Sequence, residues 1–209
     1  AGSGVLGGAL AGGSARGGQA VVNITGNARL SFGSDLRLLA SGIAGNGAVG
    51  GNGGAAQGGS ARMTMTAGGV SVGGNLDMSG AATGGSGEAG GNATGNDDRI
   101  GQQPSVLINY GNVNGINDPG LQVTGAMMLS GRAIAGNGLN GAGGIATGGM
   151  VRVNLFSRQH GAASATIDVG ADGGAGLAGG AARSGYLSVL AIDAKLDMPG
   201  VLTLEAGAS

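Results

Sequence analysis

Asp168 and Asp197 are the residues of this sequence whose type and placement come closest to suiting catalysis. Each carboxylate lies in the last short apolar run of its repeat, in Ile167-Asp168-Val169 and Leu196-Asp197-Met198. If the repeats stack and place them side by side, they resemble the carboxylate pair that cleaves glycosidic bonds. No aromatic or basic subsite accompanies them, so we predict no enzyme, no catalytic residue and no cofactor.

Two other segments have side chains that could bind calcium through oxygen. Asn96-Asp97-Asp98-Arg99 is the dense cluster of charges, and residues 112–120 form an insertion ending in Asp-Pro-Gly. We interpret both as surface loops. His160 is the single histidine and the chain has no cysteine, so we interpret His160 as a turn residue and predict no metal site.

Composition excludes several classes of partner. The net charge is −1, only one of the ten cations is a lysine, and the cations are scattered, so we predict no nucleic-acid binding. No apolar stretch approaches the ~18 residues that span a membrane. The lack of cysteine suits a secreted surface protein without disulfides, and we expect the chain to be a segment of, or stacked within, something longer. Two triplets fit the N-glycosylation acceptor and arise readily by chance, Asn23-Ile24-Thr25 and Asn92-Ala93-Thr94.

Glycine dominates the chain, with 53 of 209 residues. It recurs at every third position in four stretches, most clearly at Gly170, Gly173, Gly176 and Gly179. Three residues per turn is the period of a polyproline-II-type helix, and glycine at that period allows close packing. A leg of about 18 such residues spans ~55 Å, against ~20 Å for a six-residue strand. The glycine blocks must therefore fold back, and we expect their glycines to face a second leg.

The glycine blocks alternate with apolar runs of period two, the signature of strands. The pattern repeats about every 40 residues, which indicates a solenoid. The approximate repeats are 1–41, 42–79, 80–130, 131–169 and 170–209. Each repeat forms either one wide layer or two layers of about 20 residues, and we favour two.

Stacked repeats place equivalent residues in columns. The predicted first-strand column, whose amides could form a ladder, is Asn23, Thr64, Asn109 and Asn154. The predicted third-strand column is Arg37, Asp77, Met128, Asp168 and Asp197.

The segment GGSARMTMTAGGVSVGGNLDMSGAATGG at 58–85 resembles the repeat regions of large bacterial surface exoproteins of the filamentous-haemagglutinin and autotransporter-passenger type. The period-three blocks are similar to polyglycine-II bundles of a glycine-rich antifreeze protein and of phage tail-tip adhesins. The resemblance implies an all-β, right-handed parallel β-helix or solenoid with polyglycine-II-like legs, located outside the cell or on its surface.

We therefore expect a structural subunit or segment of a surface fibre, which associates with itself by end-to-end stacking. The alternative is an adhesin or phage-fibre-like module that recognises cell-surface glycans, matrix or a receptor. Its contact surface would then be the loops 97–120 and 156–164.

Overall fold

The computed structural model describes residues 9–26, 28–66, 68–97, 103–111 and 119–209. Within these residues the backbone forms strands, turns and extended segments but no helix, which confirms the predicted all-β class. The cause is local. Runs rich in Val, Ile, Leu, Met and Thr fit a pleated surface, and the intervening glycines are poor helix formers.

The described strands fall into five successive layers. Layer 1 contains β1 (Ala15–Arg16), β2 (Gln19–Ile24), β3 (Arg29–Phe32), β4 (Leu36–Leu39) and β5 (Gly42–Ile43). Layer 2 contains β6 (Ala56–Gln57), β7 (Ser60–Met65), β8 (Gly69–Val72), β9 (Leu76–Ser79) and β10 (Ala82–Thr83). Layer 3 contains β11 (Ala93–Thr94), β12 (Val106–Tyr110), β13 (Pro119–Ser130) and β14 (Ala133–Ile134). Layer 4 contains β15 (Ala146–Thr147), β16 (Met150–Phe156), β17 (Gln159–Asp168) and β18 (Ala171–Asp172). Layer 5 contains β19 (Ala182–Arg183), β20 (Tyr186–Ile192), β21 (Lys195–Asp197) and β22 (Leu202–Glu205).

Each layer pairs with the next in parallel, and four sheets pass through the described layers. Three sheets have the orders β1-β6-β11-β15-β19, β2-β7-β12-β16-β20 and β5-β10-β14-β18. In the fourth sheet each long strand pairs along its length with two consecutive shorter strands of a neighbouring layer. Strand β13 pairs with β8 and β9, and β17 pairs with β21 and β22. Each strand thus pairs with the equivalent strand of the next repeat. Each repeat forms one wide layer, and the expectation of two layers per repeat is wrong.

A large apolar core lies inside the strand-rich part of the layers. In β12, Val106, Ile108 and Tyr110 are buried, while Leu107 and Asn109 are partly exposed. The parallel register continues this alternation through layers 1 to 4. The column through Ile108 contains Val22, Met63, Ile108, Val153 and Val189. A smaller core between the glycine-rich legs consists of alanines, because the legs lie too close together for larger side chains.

The glycine-rich segment of each repeat leaves the apolar block as an outgoing leg and comes back as a returning leg. One glycine from each leg belongs to a continuous chain of hydrogen bonds, which we call the glycine seam. In chain order its members are Gly13, Gly45, Gly54, Gly85, Gly91, Gly136, Gly144, Gly174 and Gly180. From Gly45 onward, the N–H of each glycine donates to the carbonyl of the one before it, at 2.8–2.9 Å. Each outgoing leg therefore bonds to the returning leg of its own layer, and the fold-back leads to the returning leg of the next layer.

Glycine is required in the returning legs because of close main-chain contacts. A Cβ on Gly53, Gly90 or Gly143 would overlap a carbonyl of the outgoing leg opposite. A Cβ on Gly91 or Gly144 would overlap the equivalent glycine carbonyl one layer earlier. Both the gap between legs and the gap between layers therefore exclude a side chain.

Side chains at the ends of the outgoing legs add a second set of bonds between layers. Asn46 Oδ1 accepts from the N–H of Ser86 at 2.9 Å. Ser86 Oγ accepts from the N–H of Asn137 at 3.1 Å, and Asn137 Oδ1 accepts from the N–H of Ala175 at 2.9 Å. Where the chain turns, the oxygen of each short polar side chain takes the place of the backbone carbonyl that would otherwise accept from the next layer. These bonds hold the layers in register.

Candidate functional site

Asp168 belongs to an ion-pair network on the outside of layers 3 and 4. The Nη1 and Nη2 atoms of Arg132 lie 3.0 Å from Asp168 Oδ2 and 2.6 Å from Asp172 Oδ2. Ser209 Oγ donates to Asp172 Oδ1 at 2.8 Å. The hydrogen bond from Arg132, followed by that from Ser209, lowers the pKa of Asp172 from its ordinary value. Arg132 thus binds two carboxylates through charge-assisted hydrogen bonds, which favours a structural role over proton transfer.

The hypothesis that Asp168 and Asp197 form a pair is wrong. Asp168 lies opposite Ser130 and Glu205, whereas Asp197 lies opposite Gly161 near the other end of β17. Positions 161 and 168 are seven residue steps apart along extended β17, about 23 Å at ~3.3 Å per residue. The third-strand column is instead Arg37, Asp77, Met128, Thr166 and Thr203.

His160 is a strand residue with a buried side chain, and its interpretation as a turn residue is wrong. It is 1% exposed, and its Nδ1 accepts a hydrogen bond from the N–H of Leu121 at 3.1 Å. Its ring meets that of Tyr110 edge to face, with the centroids 5.0 Å apart. The guanidinium of buried Arg158 lies 5.5 Å from the Tyr110 ring centre, and the Tyr110 hydroxyl donates to the Gly68 carbonyl. His160, Tyr110 and Arg158 form the buried polar cluster.

This cluster keeps the imidazole neutral. Burial lowers the pKa of His160 to about 4, the Phe156 carbonyl opposes this effect and the charge of Arg158 adds to it. Among the described residues, His160 Nε2 has no hydrogen-bond partner. A proton on Nδ1 would also face the Leu121 N–H, donor against donor. The imidazole therefore acts as a fixed acceptor at the register shift between β13 and β17.

The two predicted contact loops have different outcomes. Residues 159–164 belong to β17, and the preceding turn is made at Ser157, which has a φ of 50°. The expected loop 156–164 is therefore wrong as a loop, because the His160 side chain anchors this segment in the core. Of loop 97–120, residues 98–102 and 112–118 lie outside the described residues, and these include most of the two segments with possible calcium ligands. Binding through loop 97–120 stays a prediction.

The first-strand column lies on the outer face of the β2-β7-β12-β16-β20 sheet. The register places Asn23, Thr64, Asn109 and Asn154 in successive layers, as the sequence predicts. Asn154 Nδ2 donates to Asn109 Oδ1 at 3.1 Å, so the amide ladder exists between these two layers. In the other glycosylation triplet, Asn92 Oδ1 accepts from the N–H of Ile145 at 2.8 Å. Asn23 and Asn92 are both exposed.

Layer 5 is the last layer of the stack, and no described residue covers the row of its side chains whose counterparts in layer 4 lie in the core. In layer 4, Val153 and Ile167 are 3% and 2% exposed. Their counterparts one layer later, Val189 and Leu204, are 37% and 52% exposed. Leu202, opposite the buried Ala165, is 43% exposed. We call this surface the open end. It also presents the unpaired edges of β19 to β22, and such edges are templates for another strand.

The two end layers differ in charge. Layer 1, residues 9–43, contains three cations and one carboxylate: Arg16, Arg29, Arg37 and Asp35. Layer 5, residues 178–209, contains two cations and three carboxylates: Arg183, Lys195, Asp193, Asp197 and Glu205. Layer 1 is thus net positive and layer 5 net negative, so the two faces attract one another.

Sequence reasoning missed both the Arg132 network and the buried polar cluster. The sequence signal for the network was charge beside the glycine that begins an outgoing leg: Arg132 follows Gly131 in one repeat, and Asp168 and Asp172 flank Gly170 in the next. The signal for the second was a lone His two residues after Arg158 in an apolar block. Within the described part of the chain, no group of three or more His, Cys, Asp or Glu side chains could hold a metal ion.

No family model, curated protein or solved structure matches this chain. Among the residues with described positions, no helix is long and apolar enough to cross a membrane.

Proposed function

We propose that this chain is a structural repeat protein that extends by head-to-tail stacking of copies through the open end. The observation that carries the proposal is the apolar row of Val189, Leu202 and Leu204, which is exposed although its counterparts one layer earlier are buried. Exposed apolar surface of this kind drives association. A second copy that continues the column would bury it as layer 4 is buried.

The proposed architecture is a right-handed parallel β-helix with polyglycine-II-like legs. The parallel pairing of equivalent strands in successive repeats supports a helical path, and parallel crossovers are almost always right-handed. The glycine seam supports the polyglycine-II comparison, because its legs bond laterally to neighbours. With one layer per repeat, a copy adds about 25 Å to a filament at ~4.8 Å per layer.

The two ends have compatible strand spacing. In layer 1, β1 ends at Arg16 and β2 begins at Gln19. In layer 5, β19 ends at Arg183 and β20 begins at Tyr186, the same interval. Docking β1 on β19 therefore brings β2 onto β20 in the register used throughout the stack. The opposite net charges of layers 1 and 5 favour this head-to-tail arrangement over head-to-head pairing.

We also propose export to the cell surface, where a fibre of this kind would serve adhesion or matrix formation. The support is the repeat texture of 58–85 and the absence of cysteine, which allows folding without regard to redox conditions.

The self-stacking proposal predicts a concentration-dependent oligomer that a charge at the open end abolishes. We expect filaments with a rise of about 25 Å per copy by electron microscopy, and growing species by sedimentation velocity. Val189→Lys places an ammonium in the interface, and we expect it to reduce association at least tenfold, since an unpaired charge buried there is costly. Far-ultraviolet circular dichroism should remain that of the wild type.

Val49→Lys is the matched control. Val49 is 99% exposed at the tip of a leg pair, so the same substitution there changes charge and hydropathy equally but leaves the open end intact. We expect normal filaments. A wild-type chain that stays monomeric at high concentration contradicts the proposal, and so does equal loss of association in both variants.

A further inference from the structure

One column on the outer face of the returning legs carries charge only at its two ends. In layer order it consists of Arg16, Gln57, Thr94, Thr147 and Arg183. The three inner positions are uncharged, whereas both arginines are exposed. Within the described residues, neither arginine forms an ion pair.

Head-to-tail stacking would place the last residue of this column in one copy next to the first residue of the column in the next copy. The register that places β19 on β1 sets Arg183 of one copy directly beside Arg16 of the next, about 4.8 Å apart between backbones. Like charges at directly opposed strand positions are destabilising. The junction is therefore attractive in net charge but repulsive at this column.

We infer that a doubly charged tetrahedral oxyanion, such as sulfate or hydrogen phosphate, binds between Arg183 and Arg16 of successive copies and controls stacking. The inference rests on the proposed head-to-tail function. Each guanidinium offers a planar set of donors that fits two oxygens of an oxyanion. One dianion can accept from both, which neutralises the two charges and converts a repulsion into a bridge.

The surroundings of the two arginines leave room for such an ion. Arg16 lines a groove of about 380 Å³ with Gly17, Gly18 and Gln19. Arg183 lines a groove of about 310 Å³, where Thr147 and Ser184 offer hydroxyl donors. Asp97 also lines that second groove, next to the layer 3 strand and two layers away from the junction. It disfavours an anion deep in the groove and leaves the outer end, beside Arg183, as the preferred position.

The other cation pair at the junction includes a lysine that already has a carboxylate partner. The same stacking sets Lys195 near Arg29 of the next copy, by the register of Asp197, Gly161, Gln122, Ser71 and Ser31. Lys195 Nζ, however, lies 3.5 Å from Asp197 Oδ2, which offsets one of the two charges. The pair of cations that needs a bridging oxyanion is therefore Arg183 and Arg16.

The test is sedimentation of the full chain in low-millimolar sodium sulfate and in sodium chloride of equal ionic strength. We expect sulfate to strengthen wild-type association about fivefold, the factor for one exposed charge pair. Arg183→Thr continues the threonine column, and we expect it to associate in chloride as tightly as the wild type does in sulfate, without a sulfate response. Arg152→Thr, on the outer face of β16, should keep the full response.

The outcomes separate the inference from the function on which it rests. Equal wild-type association in the two salts, or a sulfate response that survives in Arg183→Thr, overturns the oxyanion bridge. The second result would reveal only the general strengthening of apolar contacts by sulfate. If neither the wild type nor Arg183→Thr associates in either salt, head-to-tail stacking itself is wrong.

Discussion

Gly143→Ala is expected to lower the free energy of unfolding by about 3 kcal/mol or more. The added Cβ would overlap the carbonyl of Gly174 in the outgoing leg opposite. Both groups are main chain, so no side-chain rotation relieves the overlap, and the legs must separate. Separation stretches the seam bonds of Gly144 and Gly174, which are both 2.9 Å long. Overpacking alone costs about 1–3 kcal/mol, and the lengthened hydrogen bonds add to it. Urea unfolding followed by circular dichroism measures the change.

Gly179→Ala is the matched control, because Gly179 occupies the same place in the returning leg one layer later. A Cβ there meets nothing within 4 Å. We expect a change within about 1 kcal/mol, in the stabilising direction, since alanine restricts the unfolded chain. Equal losses in the two variants would mean that glycine is needed in these legs for backbone conformation and not for close approach.

The second large effect is a loss of stability in mild acid that depends on His160. The pKa of His160 is about 4 in the folded chain and about 6.5 when unfolded. Below pH 6.5 the unfolded chain therefore binds the proton more strongly, and stability falls until pH 4. We expect a loss of about 2–3 kcal/mol across this window, with full stability above pH 7. Unfolding curves at pH 7.5, 5.5 and 4 measure it.

His160→Gln separates this effect from the titration of carboxylates. A glutamine oxygen can accept from the Leu121 N–H but does not titrate, so the slope between pH 6.5 and 4 should disappear. The lowered pKa of Asp172 acts below this window, where that carboxylate becomes protonated. Because the chain has one histidine, its proton resonances give the pKa directly. A measured pKa near 6.5, or an unchanged slope in the variant, contradicts the prediction.

The sequence was sufficient for those features that depend on local periodicity. Period-two runs placed the first strands, and aligning them by their repeats gave the Asn23, Thr64, Asn109 and Asn154 column that the register contains. The alignment succeeded because layers pair in parallel, so a one-residue slip would expose every buried side chain. The same alignment failed for Asp168, because β13 and β17 contain register shifts that no local pattern marks.

Contacts between distant parts of the chain were not predictable in this way. Nothing near Ser157-Arg158-Gln159-His160 indicates that the imidazole accepts a bond from Leu121 and meets the ring of Tyr110, about 40 and 50 residues earlier. The Arg132 network likewise joins residues from successive repeats. Such contacts depend on which side chains the register brings together, and the register is a property of the assembled layers.

The sequence by itself determined an all-strand chain with repeats near 40 residues and glycine wherever a leg needs close approach. These properties follow from backbone preferences and from side-chain size, which act residue by residue. Only the tertiary structure decided that each repeat is a single wide layer, that His160 is buried and neutral, and that layer 5 leaves its interior exposed. Those properties follow from pairing between layers, where burial and hydrogen-bond partners come from residues far away in the chain.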